Sequence, residues 1–254
     1  ASRGCPMNCT YCSSPHFWSK RYRIRSAGNV LKEIDYLKNT FNIKYIAFLD
    51  DIFGLDDAWL EEFCLGLLQR QYDIRWMAIL HPFSLRNSRE KMLDLLKKSG
   101  CDTLSFGLQS ANSEILKNVK RHPEEPRELA KTIKLAKKKG FSTSLSFIFG
   151  LPGETVATIK QTIDYCCGVR PTYVEFYNLD ILEGSEMETV YKVKEKVCGI
   201  SKEELDAWCK HAARKFFFNP RQIYSIFKII ITKNPSWLWI ALKNARHFLR
   251  AAGY

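Results

Sequence analysis

The sequence predicts an α/β fold built of parallel βα units, and two observations carry the prediction. Between residues 28 and 180, short apolar runs alternate with helical patterns, and strands alternating with helices of about 10–15 residues feed a parallel sheet. The apolar runs are also nearly continuous, as strands covered by helices on both faces must be.

The elements follow in order. Residues 29–41 read as a helix, because Val30, Ile34, Leu37 and Phe41 recur on one face with Leu31 beside them. Residues 44–49 form a first short strand, and 57–71 a helix with Leu60, Phe63, Cys64 and Leu67 on one side. A second strand spans 74–80, and a helix over 88–99 is ended by Gly100. The third strand, 102–108, leads to a short helix over 113–119. A helix over 125–139 is stopped by Gly140, and 141–149 is the fourth strand. A helix over 155–167 and a fifth strand over 173–179 complete the series. A sixth strand is expected before the first cysteine, but only four residues remain there, as if the chain were cut at that strand's end.

Beyond Glu183-Gly184-Ser185 the rhythm stops. Residues 201–218, 221–231 and 236–252 read as three helices, divided by Asn219-Pro220 and Asn234-Pro235. The expected organisation is a core over 1–185 and a helical C-terminal appendage over 186–254.

Composition narrows the function classes. With 46% apolar and 13% aromatic residues, the 254-residue chain can bury a core and is not disordered. No uncharged apolar run reaches the about 18 residues that a membrane span needs. The chain opens on Ala-Ser-Arg-Gly-Cys, already inside a motif, and no signal peptide is expected. The net charge of +12 is local: residues 207–254 hold nine Lys or Arg and no acid, leaving 30 bases against 27 acids in the first 206 residues. Any acidic partner inferred from net charge therefore belongs to the tail.

Nine cysteines stand at positions 5, 9, 12, 64, 101, 166, 167, 198 and 209, an odd number, of which the first three cluster. That spacing suggests one soft-metal site and scattered core thiols in a reducing cytosol rather than a disulfide framework. Cys5-Pro-Met-Asn-Cys9-Thr-Tyr-Cys12 has the form Cys-x3-Cys-x2-Cys. Three thiolates so close can hold three irons of a cubane and leave the fourth open to a ligand. Zinc closes its structural sites with four ligands, and His16 is the one close candidate for a fourth.

This motif, with an aromatic residue just before its last cysteine, resembles the radical S-adenosylmethionine (SAM) superfamily. The resemblance implies a 4Fe–4S cluster on Cys5, Cys9 and Cys12, whose open iron chelates SAM. It also implies reductive cleavage of the sulfonium to methionine and a 5′-deoxyadenosyl radical. The implied fold is a partial (β/α)6 TIM-type barrel, opened laterally, with its first strand largely missing and the cluster loop at the C-terminal face of the strands. An electron donor such as flavodoxin or ferredoxin is the implied redox partner.

Further residues are implied as cofactor contacts. Tyr11 would lie beside the adenine, its other reading being a loop aromatic. Asp50 and Asp51, in Leu49-Asp50-Asp51-Ile52-Phe53, stand where the family often has a Gly-Gly-Glu that meets the methionine amino group, and capping of the next helix is the alternative. Asp56 or Asp57 could cap that helix more plainly. Gln109 and Ser110, in Phe106-Gly107-Leu108-Gln109-Ser110, match the position of ribose contacts. Arg121, twelve residues beyond Gln109, would reach the methionine carboxylate. Gly150 and Gly153, in Phe149-Gly150-Leu151-Pro152-Gly153-Glu154-Thr155, would let the backbone approach the adenine, although Gly-x-Pro-Gly is also an ordinary turn. His81 and His122 are read as packed or solvated histidines outside the site, and the remaining cysteines as core thiols.

The Asp-Asp-x-Phe run, the Gly-Leu-Pro-Gly-Glu-Thr loop and the helical tail are most similar to the cobalamin-binding branch. That branch includes the anaerobic magnesium-protoporphyrin ester cyclase, hopanoid-modifying enzymes and carbon or phosphorus methyltransferases. Its cobalamin domain precedes the cysteines and would lie upstream of this chain. An RNA methylthiotransferase is the second reading, supported by Gln109-Ser110 and the basic tail, although that family ends in a small β-barrel. A non-catalytic iron–sulfur or zinc scaffold is the third.

The tail interleaves Phe216, Phe217, Phe218, Tyr224, Phe227, Trp237, Trp239 and Phe248 with its nine bases. Three helices packed across the open side of the barrel, an anionic membrane surface, and nucleic acid are its readings, in that order. The expected substrate is a small or lipid-like molecule. The expected location is the cytoplasm, with a peripheral membrane contact through the tail.

Overall fold

Five strands, β3 (Tyr45–Phe48), β4 (Arg75–Leu80), β5 (Cys101–Gln109), β6 (Ser142–Phe149) and β7 (Tyr173–Asn178), form one all-parallel sheet in sequential order. This is the computed structural model of the chain, and it describes residues 1–85, 87–190 and 197–224. Helix α2 (Ala27–Phe41) precedes β3, and the helices between the strands are α3 (Asp57–Arg70), α4 (Arg89–Lys98), α5 (Ser113–Asn118), α6 (Glu125–Lys138) and α7 (Val156–Val169). A parallel sheet in sequential order with a crossover helix in each connection is a partial βα barrel, as the rhythm of the sequence predicts.

Each helix starts and stops for a local reason. Asp56 Oδ1 accepts from the N–H groups of Ala58 and Trp59 and caps α3, so the plainer of the two capping assignments holds. Thr155 and Thr158 close a reciprocal capping box on α7. Asn42, Gln71 and Arg170 adopt left-handed conformations that end α2, α3 and α7.

The core lies between the sheet and these helices. Phe48, Phe53, Trp59, Phe63 and Trp76 form one aromatic group at its β3–β4 end, with Trp59 and Phe63 stacked at 5.3 Å. A smaller apolar group gathers Ile115, Val119, Leu151 and Met187, with Tyr11 packed against it. That second group lies under the cysteine loop.

Two features differ from the sequence expectation. Residues before the cysteines do not supply a parallel strand: β1 (Ser2–Arg3) pairs antiparallel with β2 (Arg23–Ile24), as a ribbon apart from the main sheet. Two short helices, α1 (Ser14–Phe17) and α8 (Glu186–Val190), escape periodicity analysis because one turn carries no period. The described part of residues 186–254 packs on both cores. Met187 of α8 enters the smaller core, while Leu205, Ala212 and Phe216 of α9 (Lys202–Phe217) enter the main one. Most of the two later tail helices, with Phe227, Trp237, Trp239 and Phe248, lies outside the described residues. Among the described residues no helix is long and apolar enough to cross a membrane.

Candidate metal and cofactor centre

The cysteine loop is held by the segments that follow the C-terminal ends of the strands. Gly4 opens it at φ +84°, and a Cβ there would stand 2.1 Å from the Arg21 carbonyl oxygen, so only glycine fits. Asp51 Oδ2 accepts from the Gly4 N–H at 3.1 Å. Asp50 Oδ1 accepts from the Ser2 hydroxyl at 2.6 Å and also from the Ser2 backbone N–H. Both carboxylates after β3 are therefore engaged by the lead into the cysteines rather than capping α3, Asp50 buried and Asp51 exposed. Further along, the Cys12 N–H donates to the Cys9 carbonyl at 3.1 Å, and Thr10 is pinned from both sides. Its N–H donates to the Val119 carbonyl at 3.3 Å, and its carbonyl accepts from the Met187 N–H at 3.0 Å.

Cys5, Cys9 and Cys12 are free thiols and partly exposed. Burial raises the pKa of Cys5 and Cys12, and their charged neighbours Cys9 and Asp51 raise it further. Backbone N–H groups of Met7 and Ser14 work in the opposite direction, aimed at the Cys5 and Cys12 sulfurs. Donors of that kind stabilise thiolates on an iron–sulfur cluster. Among the described residues no three His, Cys, Asp or Glu converge as ligands of a single metal ion. The hydroxyls of Thr10 and Ser14, buried beside the thiols, have no partner. Three clustered thiols whose anions would repel one another, amide donors directed at sulfur and two unsatisfied hydroxyls together fit a multi-atom sulfide cluster.

Tyr11 and Arg121 meet 110 residues apart in sequence. Arg121 Nη1 donates to the Tyr11 hydroxyl at 2.8 Å, and Nη2 donates to the Gly107 carbonyl at 2.7 Å. Nε and Nη2 both bond Glu125 Oε2, at 2.8 and 2.5 Å, in a pair whose side chains are 6% and 2% exposed. Glu125 Oε1 accepts from the His122 N–H at 3.1 Å and faces His81 Nε2 at 3.6 Å. Burial, together with the nearby Arg121 charge, depresses the His81 pKa to about 3, so the imidazole is neutral. Burial works against the Arg121 charge, but Tyr11 and Glu125 outweigh it and hold the guanidinium pKa above its usual value. Burial also raises the Tyr11 phenol, which stays protonated.

Four of the five Arg121 donors are thus committed, and one Nη1 N–H remains. The sequence reading names Arg121 and Tyr11, does not name Glu125, and leaves His81 outside the site. The signal for Glu125 was present, a carboxylate four residues after the arginine; nothing in the sequence places His81 beside it.

The remaining assigned residues divide. In β5 the register with β6 slips between Gly107 and Gln109, so Leu108 is an extra residue. The bulge carries Gln109 to φ +71°, a conformation rare outside glycine. The Gln109 amide then folds back over Gly107, where a Cβ would stand 2.6 Å from its Nε2. Ser110 is fully buried, its hydroxyl accepting from the Asn112 N–H at 3.2 Å and lying 3.4 Å from Thr162 Oγ1. Its side chain is thus committed to α7 and turned from any cleft.

Gly150 and Gly153 are left-handed, but what crowds them is protein: a Cβ at Gly150 would stand 2.9 Å from Leu205 of α9, and one at Gly153 would stand 2.7 Å from the Asn118 amide. Between them Leu151 joins Tyr11 in the smaller apolar group, which links this loop to the cysteine loop. Glu154, just before α7, turns inward, with Oε2 accepting from the N–H groups of Gly150 and Leu151 and Oε1 buried without a partner.

Among the described residues, two clefts that reach the thiols stand out. One, of about 720 Å³, has Cys9, His81, Arg121 and Glu125 in its wall, with Met7, Phe83 and His122. The other, of about 520 Å³, is bounded by Cys9, Cys12, His16, Lys20 and the start of α8.

Comparison with known proteins places this arrangement. An uncharacterized methyltransferase of Pyrococcus horikoshii is 35% identical over 175 residues, 69% of this chain and 37% of that protein. The anaerobic magnesium-protoporphyrin IX monomethyl ester cyclase of Rubrivivax gelatinosus is 30% identical over 161 residues, 63% of this chain and 28% of its own length. The chain therefore spans 37% and 28% of the length of these two relatives. Among solved structures, the radical SAM methyltransferase TsrM of Kitasatospora setae, with cobalamin and a 4Fe–4S cluster bound, superposes with a TM-score of 0.66 at 22% identity. That match covers 73% of this chain and 35% of TsrM, and it speaks for the fold alone. The radical SAM superfamily model matches residues 1–166, from the lead of the cysteine loop through all but the last of the five parallel strands, and the chain belongs to that superfamily.

Proposed function

We propose that Cys5, Cys9 and Cys12 hold a 4Fe–4S cluster and that SAM binds in the 720 Å³ cleft between Cys9 and Arg121. The observation that carries this reading is a single cleft with a cluster cysteine and a buried, immobilised guanidinium in its wall. When bound, the cluster supplies a chelating iron and the electron that cleaves the sulfonium. The protein's part is to bind and orient. Arg121 presents its remaining Nη1 N–H from a frame fixed by Glu125, Gly107 and Tyr11, a geometry suited to a carboxylate. Gln109, at the strained end of β5, offers an amide to a diol. Phe83 and His81, with the edge-packed His122, give the cleft an aromatic side and limit water.

For the reaction that follows, we favour a methyl transfer or a cyclase-like step of the cobalamin-associated kind, on a small or lipid-like substrate. The names of the Pyrococcus and Rubrivivax relatives support it, with cobalamin held by sequence outside this chain. The nine free cysteines, with no disulfide among the described residues, suit a reducing cytoplasm.

Anaerobically reconstituted protein is expected to hold about four irons per chain, the content of one cubane. It is also expected to release 5′-deoxyadenosine from SAM under reduction. Replacing Cys9 by Ala should remove both. Four tightly held irons in the triple Cys5/Cys9/Cys12→Ala variant would place the ligands elsewhere. Iron without any deoxyadenosine would leave only a cluster-bearing scaffold.

A further inference from the structure

His81 follows the C-terminal end of β4 and is tied down by the turn after it. Its backbone N–H donates to Ser84 Oγ at 3.2 Å, and its carbonyl accepts from the Ser84 N–H at 2.8 Å. Its ring Nδ1 accepts from the Phe83 N–H at 3.2 Å, and the side chain is 12% exposed. The turn thus fixes both where the ring lies and which way it points.

The Nδ1 bond also sets the tautomer. A ring nitrogen that accepts cannot carry the proton, so the proton of the uncharged imidazole sits on Nε2. That Nε2 faces Glu125 Oε1 at 3.6 Å, slightly beyond hydrogen-bond length.

Glu125 has room for one more donor. A carboxylate offers about four acceptor positions. Arg121 Nε and Nη2 occupy two on Oε2, and the His122 N–H takes one on Oε1. The last lies on a side chain only 2% exposed, where bulk water is excluded and an unmade hydrogen bond is costly. The Nε2–H of His81 is the donor that faces it.

Acid–base chemistry suits this imidazole less well. As a base it would need an open lone pair, and the one on Nδ1 is taken by the Phe83 N–H. As an acid it would need a charged ring, which burial and the Arg121 charge both oppose.

Given SAM at Arg121, as proposed above, we infer that His81 is a positioning residue of that site. It donates from Nε2 to Glu125 Oε1 and so holds the carboxylate. Through the carboxylate it holds the Arg121 guanidinium at the angle that offers its remaining Nη1 N–H to the cleft. His81 transfers no proton, and its effect on the ligand passes through Glu125.

The test uses the full chain, reconstituted with iron and sulfide and titrated calorimetrically with SAM. His81→Leu keeps the bulk but removes the donor, and it should weaken SAM about 5- to 10-fold with iron content unchanged. His81→Gln sets an amide N–H near the former Nε2 and should restore the affinity to within about twofold. In a Glu125→Gln background His81→Leu should weaken SAM no further, because both residues act through one contact. Wild-type affinity in His81→Leu overturns the proposal, and so do losses that multiply in the double variant.

If His81→Leu fails to fold or to load iron, NMR of nitrogen-labelled histidines in the wild-type apo chain decides the matter. The His81 signal, identified by its absence from His81→Gln, should show a protonated Nε2 that shifts in Glu125→Gln. A protonated Nδ1, or a signal indifferent to Glu125→Gln, overturns the proposal. Wild-type protein that holds iron but binds no SAM sinks the reading of the cleft instead. The same NMR signature then decides by itself whether His81 holds Glu125.

Discussion

Arg121 shows what a single residue contributes and how much of it a sequence discloses. The family resemblance implies it as a cofactor contact, twelve residues beyond Gln109, but the features that suit it to that role are tertiary. A buried guanidinium needs compensation, and here a carboxylate, a phenol and a carbonyl freed by a strand bulge provide it. Arg121→Ala is expected to lose a charge-assisted contact of about 1.5–3 kcal/mol and weaken SAM binding about 10- to 150-fold, with iron content unchanged. Glu125 acts through Arg121 as a positioning residue. Breaking a buried pair costs about 3–5 kcal/mol, so Glu125→Ala should lower the thermal midpoint sharply. Glu125→Gln keeps the shape and loses the charge, and it should weaken SAM by about tenfold while the protein still loads iron. Calorimetric titration of the loaded variants reads this directly, and wild-type affinity in Glu125→Gln would remove Glu125 from the assembly. On a sequence, an Arg and a Glu four apart look like any solvated helix pair. Only burial distinguishes this one.

At the scale of elements, the rhythm of βα units was legible because strands and helices of several turns carry a period. The five strands lie within one residue of their expected starts and ends. The elements that hold the cysteine loop carry no such signal. Ribbon strands of two residues and helices of four and five are too short for a pattern, yet Thr10 is clamped by α8 and by the end of α5. Similarly, Asp50 and Asp51 sit at a strand end where ligands are often met, and only the path of the chain shows that they bind Ser2 and Gly4. The loop therefore depends on one permissive backbone position. Gly4→Ala places a Cβ against the Arg21 carbonyl in a left-handed conformation, which for an L-residue costs about 1–2 kcal/mol before the clash is counted. The sheet does not involve this residue, so the variant should keep its far-ultraviolet circular dichroism while iron uptake drops. Full iron loading by Gly4→Ala would show that the loop tolerates another path.

Across the whole molecule, the Gly150 loop ties the cofactor side to the C-terminal helix. Leu151 packs with Tyr11 under the cysteines, Leu205 of α9 closes on Gly150, and Glu154 is sealed beneath them at 1% exposure. Burial raises the Glu154 pKa from 4.5 to about 7, against the two backbone N–H bonds that would lower it. In the unfolded chain this carboxyl ionises near 4.5; in the folded protein it resists until about 7. Its contribution to stability is therefore fully present below the unfolded value, is lost as pH rises toward 7, and changes no further above that. The difference of about 2.5 pKa units corresponds to roughly 3 kcal/mol. The loss accrues between about pH 4.5 and 7, so pH 5 and pH 8 bracket most of it. Urea unfolding at those two pH values, compared between wild type and Glu154→Gln, isolates the term, because other titrations are common to both proteins. The wild type should lose about 2–3 kcal/mol more than the variant between pH 5 and 8. Glu154→Gln should also be the more stable of the two at pH 8, since it carries a neutral group of the same shape. Parallel pH profiles for the two proteins would mean that Glu154 is already paired, and that the buried Oε1 between the Gly150 loop and α9 has found a donor.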